Sequence, residues 1–327
     1  MVQLKNKSVL ITGGTGTVGR SLLTAIVALP EEHRPKQVTV LSRDEYKQYV
    51  LQKEFPPNQH PLIQYALADI GHYPSLSPHF RQIDIVIHAA ALKRVETGEQ
   101  QPGAFTRTNV SGTENVLLAS VAQEVSQIIT ISTDKAVYPT TLYGATKLCA
   151  ERLTLQKNQP GLLKSSVVRL GNILGSRGSV ITGLRENKSQ PIIKITHPDM
   201  TRFTTTAPDC ADYILTQIQN AVGGEILIPK TKAYRLIDLA QEIATDSEIT
   251  FSSPRLTEKI HETLISSEEA RFGYERPNDF VISMNENTLK AYQQQPEVQS
   301  ISPKAYTSEV TAKLSRSELA ELIATLV

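Results

Sequence analysis

Apolar residues follow two different spacings along the first half of the chain. Short runs rich in β-branched residues are typical of buried strands, and they occur near residues 8–12, 37–41, 62–68, 83–88, 127–132 and 165–170. Between these runs the apolar residues recur at helical spacing, near residues 17–29, 44–55, 101–124 and 143–158. This alternation predicts an α/β fold in which a parallel sheet carries helices on both faces.

A glycine-rich turn joins the first predicted strand to the first predicted helix. Its glycines permit a tight turn and let the backbone approach a pyrophosphate, and the N-terminus of the helix attracts the same anion. The turn therefore predicts a Rossmann-type doubly wound sheet that binds a dinucleotide. The residues expected to contact the dinucleotide are Gly13, Thr15, Gly16, Thr17, Val18 and Gly19.

The end of the second predicted strand indicates which dinucleotide is bound. A site for NAD usually has an acidic residue there, which binds the ribose 2′-hydroxyl. This chain has Ser42 and Arg43 instead, with Lys47 one helical turn further on. Positive charges suit a 2′-phosphate, so the sequence favours NADP over NAD. The alternative interpretation is that Arg43 and Lys47 form a solvated face while Asp44 caps the helix.

The ends of the third and fourth predicted strands supply further cofactor candidates. These residues, expected beside the adenine and along the path of the cofactor, are Asp69, Ile70, Ala89, Ala90 and Ala91. His88 precedes the alanines and has two interpretations, as a catalytic base or as a packed core residue. Its place at the end of an apolar strand favours the core.

The segment from Thr133 to Lys147 carries the candidate catalytic groups. Tyr143 and Lys147 are four residues apart, so they share one face of a predicted helix. An ammonium in that place lowers the pKa of the phenol and makes it a usable proton donor or acceptor. The strand that ends just before delivers Thr133, Asp134 and Lys135 to the same cleft. A simple hydride transfer needs fewer groups, although Asp134 and Lys135 have an alternative interpretation as a surface ion pair.

The regular alternation breaks after residue 172, which predicts the domain organisation. Residues 1–172 are predicted to form the NADP-binding domain, and residues 207–228 are predicted to return to it through a helix and a strand. A smaller substrate-binding α/β subdomain is predicted from residues 173–206 and 229–270. Residues 271–327 are predicted to form a C-terminal extension that ends in a helix, which Ser317 is expected to cap.

These motifs together resemble those of the extended short-chain dehydrogenase/reductases. Within that superfamily the chain resembles the inverting UDP-N-acetylglucosamine 4,6-dehydratases of the polysaccharide-biosynthesis group, from about residue 5 to about residue 265. Ser132-Thr133-Asp134-Lys135-Ala136, ahead of the tyrosine, is the most specific motif. Residues 169–180, 200–203 and 258–262 match the same group.

The resemblance implies a lyase that acts on UDP-N-acetylglucosamine or a close UDP-hexosamine. Bound NADP would oxidise C4, water would leave across C5 and C6, and hydride would return to C6. The product would be a UDP-4-keto-6-deoxy-hexosamine for cell-surface glycan biosynthesis. Retaining 4,6-dehydratases of the family generally carry Asp-Glu where this chain has Asp134-Lys135, so the lysine predicts inversion at C5.

The resemblance also implies roles for individual residues. Tyr143 would take the proton of the C4 hydroxyl, Lys147 would hold the nicotinamide ribose, and Thr133 would hydrogen-bond the C4 oxygen. Asp134 and Lys135 would move protons at C5 and C6, with Lys135 protonating C5 from the opposite face. Lys93 is implied in both cofactor and substrate binding. The substrate-binding residues implied are Lys93, Asn172, Arg177, Ser179, Arg202 and Arg255.

Two departures from the family pattern leave the sugar and its C2 substituent open. The family usually has Arg-Pro-Gly where this chain has Arg255-Leu256-Thr257, and often Trp-Ile where it has Thr204-Thr205. His261 and Glu262 suggest metal ligands, but no second cluster completes a site, so no metal is expected.

Two other functions are compatible with the motifs. A UDP-sugar 4-epimerase of the same superfamily needs only Thr133, Tyr143 and Lys147, and it leaves Asp134 and Lys135 without a role. A non-catalytic NADP-binding regulator or scaffold is the other alternative, although such proteins tend to lose the tyrosine or the lysine.

The composition narrows the class of protein further. A chain of 327 residues with 40% hydrophobic content can bury the core of a large domain with or without a smaller one. A net charge of +1, 6% aromatic residues and no tryptophan argue against nucleic acid as a partner. Cys149 and Cys210 lack metal-type spacing and fit a reducing cytosol. Without a signal-peptide core or a membrane-length apolar run, a cytoplasmic protein is expected, and the resemblance implies a homo-oligomer.

Overall fold

The computed structural model describes residues 2–176, 178–301 and 304–326. Within these residues the strands are β1 Ser8–Thr12, β2 Gln37–Ser42, β3 Ile63–Leu67, β4 Ile85–His88, β5 Gln127–Thr133, β6 Lys164–Leu170, β7 Asn172–Ile173, β8 Ile192–Ile195, β9 Thr201–Thr205, β10 Ile226–Pro229, β11 Ala233–Arg235, β12 Glu248–Phe251, β13 Thr263–Ile265, β14 Gly273–Glu275, β15 Asp279–Ile282, β16 Gln299–Ser300 and β17 Tyr306–Thr307.

The α-helices in the same residues are α1 Thr17–Ala28, α2 Glu45–Glu54, α3 Tyr73–Leu76, α4 Val95–Gln100, α5 Pro102–Phe105, α6 Gly112–Ala122, α7 Leu142–Gln156, α8 Val180–Glu186, α9 Ala207–Asn220, α10 Leu236–Ile243, α11 Glu286–Gln293 and α12 Arg316–Thr325. Shorter turns of 3₁₀-helix lie at Glu31–His33, Ser77–Phe80, Asp134–Ala136 and Glu269–Phe272. A π-helical segment, Thr106–Ser111, joins α5 to α6. None of the helices formed by the described residues is long and apolar enough to span a membrane.

The largest sheet of the described chain has ten strands in the order β16-β14-β15-β10-β6-β5-β4-β1-β2-β3. The strands from β10 to β3 run parallel to their neighbours, which confirms the predicted parallel sheet. Strand β1 lies between β2 and β4, so the strand order changes direction there. In sheets of this kind ligands bind beyond the carboxyl ends of the strands at that point.

Both faces of the parallel sheet are covered, because successive residues of each strand point to opposite sides. Val9 and Ile11 of β1 belong to an apolar layer with residues of α1 and α9. Leu10, between them, belongs to a second layer with α3 and α6. The sequence of β1 shows a continuous apolar run, and no polar-apolar alternation, because neither face of that strand meets water.

The residues of the predicted C-terminal extension pack against both parts of the fold. Strands β14, β15 and β16 add an antiparallel edge to the large sheet, next to β10. Helix α12 packs instead against α10. The strands β14, β15 and β16 have two to four residues each, which is too short for a clear periodic signal in the sequence.

A smaller group of elements is built around two small sheets. Strands β7, β9 and β11 form a three-stranded sheet, and β8 and β12 form a parallel pair. Its apolar core includes Ile181, Ile193, Leu239 and Leu319. The last of these belongs to α12, so residues as far apart in sequence as Leu174 and Leu319 share this core. The division of the chain into cofactor and substrate domains stays a prediction.

The cap predicted for the terminal helix was wrong by two residues. Ser315, not Ser317, is the N-cap of α12, and its hydroxyl accepts a hydrogen bond from the backbone N–H of Glu318. The Glu318 carboxylate accepts in return from the backbone N–H of Ser315. This reciprocal arrangement is a capping box, and Glu318 is three residues from Ser315 as the motif requires.

Candidate active site

A cleft of about 770 Å³ lies at the carboxyl ends of the parallel strands. Residues that follow β1, β4, β5 and β6 line it, because the carboxyl ends of parallel strands meet at one edge of a sheet. The small group of elements closes the other side with residues from α8, β9 and the segment 255–262. The cleft is therefore bounded by both parts of the fold.

The glycine turn forms one wall of the cleft. Gly13 has φ of +68°, and a Cβ there would lie 2.7 Å from the backbone of Ala90. A Cβ on Gly19 would lie 2.4 Å from Gly14, so both positions require glycine. Gly16 provides the N-cap of α1 without a side-chain hydrogen bond. The first N–H groups of α1 can therefore be satisfied by an anion, as a pyrophosphate site needs.

The predicted cofactor residues fall into two sets. Those that line the cleft are Gly13, Gly16, Thr17, Val18, Gly19, Ala89, Ala91, Lys93, Tyr143 and Lys147. Outside the cleft lie Ser42 and Arg43 at the end of β2, Lys47 on the first turn of α2, and Asp69 beyond β3. Thr15, Ile70 and Ala90 also lie outside its lining, and Ile70 is buried in a core layer.

The residues after β2 carry two positive side chains next to two carboxylates. Arg43 lies 3.8 Å from Asp69, and Lys47 lies 2.6 Å from Asp44. Asp44 also caps α2 by accepting from the backbone N–H of Lys47 at 3.0 Å, which confirms that part of the alternative interpretation. About half of the Arg43 side chain is exposed, so its guanidinium can reach a ligand at the strand end.

The turn after β5 places three polar groups together. Asp134 is buried, and its Oδ1 accepts hydrogen bonds from Thr133 Oγ1 at 2.9 Å and Lys135 Nζ at 3.1 Å. Lys135 Nζ donates a second bond, of 3.0 Å, to Glu262 Oε1. The Lys135 side chain is 25% exposed and lines the cleft, so the surface ion pair considered above is not what forms.

Asp134, Glu262 and Lys135 shift one another's pKa values. Burial raises the pKa of Asp134, and the nearby Glu262 charge adds to this, while Lys135 opposes it. Burial also acts to raise the pKa of Glu262, but Lys135 and Arg202 outweigh it and lower that pKa. Burial acts to lower the pKa of Lys135, yet Asp134 and Glu262 together raise it. Lys135 is therefore a protonated donor, and Asp134 is the carboxyl group that takes a proton more readily.

Tyr143 and Lys147 lie on the first turns of α7, which Thr141 caps. Burial raises the pKa of Tyr143 to about 12, and Lys135 and a hydrogen bond with Thr133 act in the opposite direction. Lys147 Nζ donates to the carbonyl oxygen of Ile131 at 2.7 Å, and burial lowers its pKa to about 8. The expectation that Lys147 lowers the pKa of Tyr143 was therefore wrong for this structure, because the charge that does so belongs to Lys135.

A buried asparagine ties α7 to the loop that follows β4. Asn109, in the π-helical segment, bonds both the N–H and the carbonyl of Leu92, at 2.8 and 2.9 Å. Its amide also donates to Thr146 of α7 at 3.0 Å.

His88 is fully buried between the hydroxyls of Thr12 and Thr113, and burial lowers its pKa to about 3. The core interpretation of His88 is confirmed.

The described substrate-binding candidates all line the cleft. Lys93 Nζ lies 3.2 Å from Ser176 Oγ. Asn172 Oδ1 is buried and has no hydrogen-bond partner within the described residues, and Ser179 stands at the N-terminus of α8. Arg177 was also predicted, and it lies outside the described residues.

The two arginines from the small group of elements differ in their freedom to bind a ligand. Arg202 donates to the carbonyl oxygens of Thr201, Ile260 and Lys259 at 2.8, 2.9 and 3.1 Å. Its contacts favour an anchoring role over the predicted substrate binding, because these donors are already engaged. Arg255 pairs with Glu96 across the cleft, and both side chains are well exposed.

Glu262 is the site residue that sequence reasoning missed. It lies 127 residues after Lys135, so no local spacing connects the two. The only signal was its place in Glu258-Lys259-Ile260-His261-Glu262, where it was considered as a metal ligand. Among the described residues, no group of three or more histidine, cysteine, aspartate or glutamate side chains is arranged to hold a metal ion.

Comparisons with known proteins agree with this geometry. A family model described as polysaccharide biosynthesis protein matches residues 9–284. A UDP-N-acetylglucosamine 4,6-dehydratase (inverting) from Campylobacter jejuni is 36% identical over 282 residues, which cover 85% of this chain and 83% of the relative. A UDP-glucose 4-epimerase from Rickettsia conorii is 34% identical over 331 residues, covering 98% of this chain and 96% of the relative.

The X-ray structure of Pen from Bacillus thuringiensis is similar over nearly the whole chain. It superposes with a TM-score of 0.88 at 34% sequence identity, and the match covers 99% of both chains. The large sheet, the small group of elements and the C-terminal strands thus occur together in a solved structure.

Proposed function

Because the chain belongs to the polysaccharide biosynthesis protein family of the extended short-chain dehydrogenase/reductases, we propose that it is an inverting nucleotide-sugar 4,6-dehydratase. Its substrate would be UDP-N-acetylglucosamine or a close UDP-hexosamine. Its product would be a UDP-4-keto-6-deoxy-hexosamine for cell-surface glycan biosynthesis. The observation that carries the proposal is the cluster of Asp134, Lys135 and Glu262 in the cleft beside Tyr143.

The glycine turn fits a dinucleotide, because Gly13 and Gly19 let it pack directly against the backbone of Ala90 and Gly14, and Gly16 leaves the first N–H groups of α1 without a side-chain cap. When bound, the dinucleotide supplies the oxidation at C4 and the matching reduction at C6 of the sugar. The N-terminus of α1 would hold the pyrophosphate, and Lys147 the nicotinamide ribose. Arg43 and Lys47 would bind the 2′-phosphate, which makes NADP the proposed cofactor.

Tyr143 and Thr133 act at C4 in this proposal. The Thr133 hydroxyl would hold the C4 oxygen, and Tyr143 would take the proton from the C4 hydroxyl. A positive charge close to the phenol makes that transfer easier by lowering its pKa, and Lys135 supplies such a charge. Once C4 is a ketone, the hydrogen on C5 becomes acidic.

Asp134 and Lys135 act at C5 and C6. Elimination requires a base for the C5 proton, an acid for the departing C6 hydroxyl, and later an acid that returns a proton to C5. The raised pKa of Asp134 suits proton exchange with the sugar, and the Lys135 ammonium is a donor for C5. Protonation from the face opposite to the one deprotonated would invert that centre.

A 4-epimerase is the second candidate, and the Rickettsia conorii relative favours it because that match covers more of the chain. An epimerase moves hydride only at C4, so Thr133, Tyr143 and Lys147 suffice. It provides no use for a buried Asp134 that bonds the Lys135 ammonium at 3.1 Å. The buried cluster therefore ranks the dehydratase first.

Incubation with UDP-N-acetylglucosamine and NADP in heavy water separates the candidates. A dehydratase yields a 4-keto-6-deoxy product with deuterium at C5 and inverted configuration there, as read by NMR. An epimerase yields UDP-N-acetylgalactosamine without deuterium, and a non-catalytic scaffold yields nothing. Either of the last two outcomes would overturn the proposal.

Two variants then test the roles of the residues. Lys135→Met should abolish dehydration while NADP still binds, and Tyr143→Phe should prevent oxidation at C4. Lys290→Met, an exposed lysine on α11, is the matched control and should leave turnover unchanged. Near-normal turnover of Lys135→Met would contradict the elimination role.

The proposal also includes the setting in which the enzyme works. The resemblance to this family suggests a cytoplasmic homo-oligomer, a dimer or a larger assembly, with a UDP-sugar as its partner. Light scattering coupled to size-exclusion chromatography would measure the assembly. A monomer at micromolar concentration would contradict that part.

A further inference from the structure

Glu262 reaches the catalytic turn from a segment distant in sequence. Its side chain is 4% exposed, and its Oε1 accepts from Lys135 Nζ at 3.0 Å. The other carboxylate oxygen, Oε2, is buried without a hydrogen-bond partner among the described residues. Glu262 therefore contacts the proposed proton donor at the same nitrogen that bonds Asp134, so that the ammonium is shared by two carboxylates.

The position of Glu262 does not depend on Lys135. Its backbone N–H donates to Ser308 Oγ at 2.9 Å, and its carbonyl accepts from the N–H of Ser308 at 2.8 Å. Arg202 Nε lies 3.7 Å from the carboxylate, while its other nitrogens bond the backbone of residues 259 and 260. Two elements that do not belong to the large sheet thus fix this glutamate before it meets the lysine.

We propose that Glu262 is a positioning residue that holds the Lys135 ammonium against Asp134 and keeps this pair ready for proton transfer at C5 and C6. The inference rests on the proposed function, because only elimination needs the pair. It assigns a purpose to Arg202 as well, which anchors the segment that carries Glu262. Glu262 itself acts through Lys135 and is not proposed to touch the sugar.

The groups that face Lys135 determine how its protonation responds to a change at Glu262. Asp134 and Glu262 are the two negative groups, and Arg202 of β9 is the positive group that opposes them. Tyr143 of α7 and Tyr234 of β11 also sense the Lys135 charge, and Lys259 lies in the same wall. Glu262 raises the pKa of both Lys135 and Asp134. Its neutralisation should therefore lower both values.

Glu262→Gln is the variant that tests this prediction, since glutamine keeps the shape and removes the charge. Loss of an opposite charge at this distance shifts a pKa by about one unit or more. Competitive labelling of lysine amines with acetic anhydride across a pH series, read by mass spectrometry, measures the pKa of Lys135 directly. A fall of about one unit is expected. An unchanged value would overturn the proposal.

Glu309→Gln is the matched control. Glu309 follows Ser308 in the chain, lies 3.8 Å from His261 Nε2, is 63% exposed, and is not among the charged groups that act on Lys135. The control removes one carboxylate charge from the neighbourhood, and the Lys135 labelling curve should not move. An equal shift in both variants would show a general field effect and would overturn the role assigned to Glu262.

Steady-state kinetics supply the second readout. In Glu262→Gln, kcat should fall at least tenfold, KM should change by less than about threefold, and the pH profile of kcat should move to lower pH. A merely structural role would lower activity without moving the profile, and that result would overturn the proposal. Should the glutamine variant not fold, Glu262→Asp is measured in the same way. Its carboxylate is shorter by one methylene, so an unchanged profile and labelling curve would likewise overturn it.

The labelling experiment does not require turnover. If the wild-type protein fails to convert UDP-N-acetylglucosamine, the proposed function fails, while the Lys135 labelling curve still reports whether Glu262 controls that amine. If conversion occurs and the labelling curve is unaffected, only the inference about Glu262 fails.

Discussion

The carbonyl oxygen of Lys135 lies against Gly144, in the space where any other residue has its Cβ. An added Cβ would be 2.1 Å from that oxygen, far inside van der Waals contact. The 3₁₀ turn Asp134–Ala136 and the first turn of α7 can approach this closely only because residue 144 has no side chain. The distance between the Lys135 turn and the helix that carries Tyr143 is therefore set at this contact.

Gly144→Ala should displace the Lys135 turn from α7. Overpacking against backbone costs about 1–3 kcal/mol, and the turn must move, so we expect a lower free energy of unfolding and a loss of turnover. Urea unfolding and turnover measure the two effects. Gly103→Ala is the control, since nothing lies within 4 Å of its added Cβ. It should be neutral or slightly stabilising, and an equal loss in both variants would contradict the steric explanation.

Arg43→Ala should weaken the binding of NADP more than that of NAD. A hydrogen bond to a charged group contributes about 1.5–3 kcal/mol, so the Kd for NADP should rise by about tenfold or more, and the Kd for NAD should change little. Isothermal titration calorimetry with both dinucleotides measures this. Lys53→Ala removes a positive charge from α2, the helix that follows Arg43, where the lysine lies over the Tyr49 ring, and is the control. Equal effects of Arg43→Ala on both dinucleotides would contradict the NADP assignment.

Arg169→Met should strongly destabilise the protein. Arg169 is completely buried and bonds Glu151 at 2.7 and 2.9 Å and Glu269 at 2.9 and 3.0 Å. Removing one partner of a buried ion pair leaves uncompensated charge and costs about 3–5 kcal/mol. Urea unfolding at pH 7 measures the change. Arg20→Met breaks the exposed pair of Arg20 with Glu54 and should cost less than about 1 kcal/mol; a similar cost for both would refute the argument from burial.

Glu225 should make stability depend on pH. Burial raises its pKa from 4.5 to about 7, although a hydrogen bond from Ser166 opposes the shift. Between these values the folded protein keeps a proton that the unfolded chain releases, so this residue's contribution to stability falls as the pH rises, by up to about 3 kcal/mol. Glu225→Gln should remove that fall.

Chemical unfolding of wild type and Glu225→Gln at pH 4.5, 6 and 8 measures the contribution of Glu225. The glutamine variant should gain stability relative to wild type as the pH rises, with most of the gain between pH 4.5 and 7. Glu248→Gln, at an exposed position on β12, should show no such trend. A constant difference between Glu225→Gln and wild type would refute the titration.

The parallel strands were predictable because burial on both faces leaves a mark in the sequence. Runs such as Val9-Leu10-Ile11 have no polar position, and each strand was placed to within about two residues of its observed bounds. The antiparallel edge was not predictable, because β14, β15 and β16 are short. Their identity as strands depends on pairing with β10 and with one another.

The residues of the candidate site also divide into those that the sequence could predict and those that it could not. Thr133, Asp134, Lys135, Tyr143 and Lys147 lie within fifteen residues, so a strand and a helix that adjoin bring them together. Glu262 and Arg202 come from segments that only the folded chain brings near them. Even the local prediction failed for the partner of Lys147, because its ammonium bonds the carbonyl of Ile131 rather than acting on the phenol.

The order of residues along the chain was enough to determine the parallel sheet, the glycine cradle and the candidate catalytic segment, because each depends on contacts between near neighbours or on a repeating pattern of burial. Tertiary structure alone decided that Lys135 lies between two carboxylates, that Arg202 anchors one of them, and that α12 shares a core with α10. Those contacts join segments far apart in sequence, and their energies depend on burial and distance, which the order of residues does not encode locally.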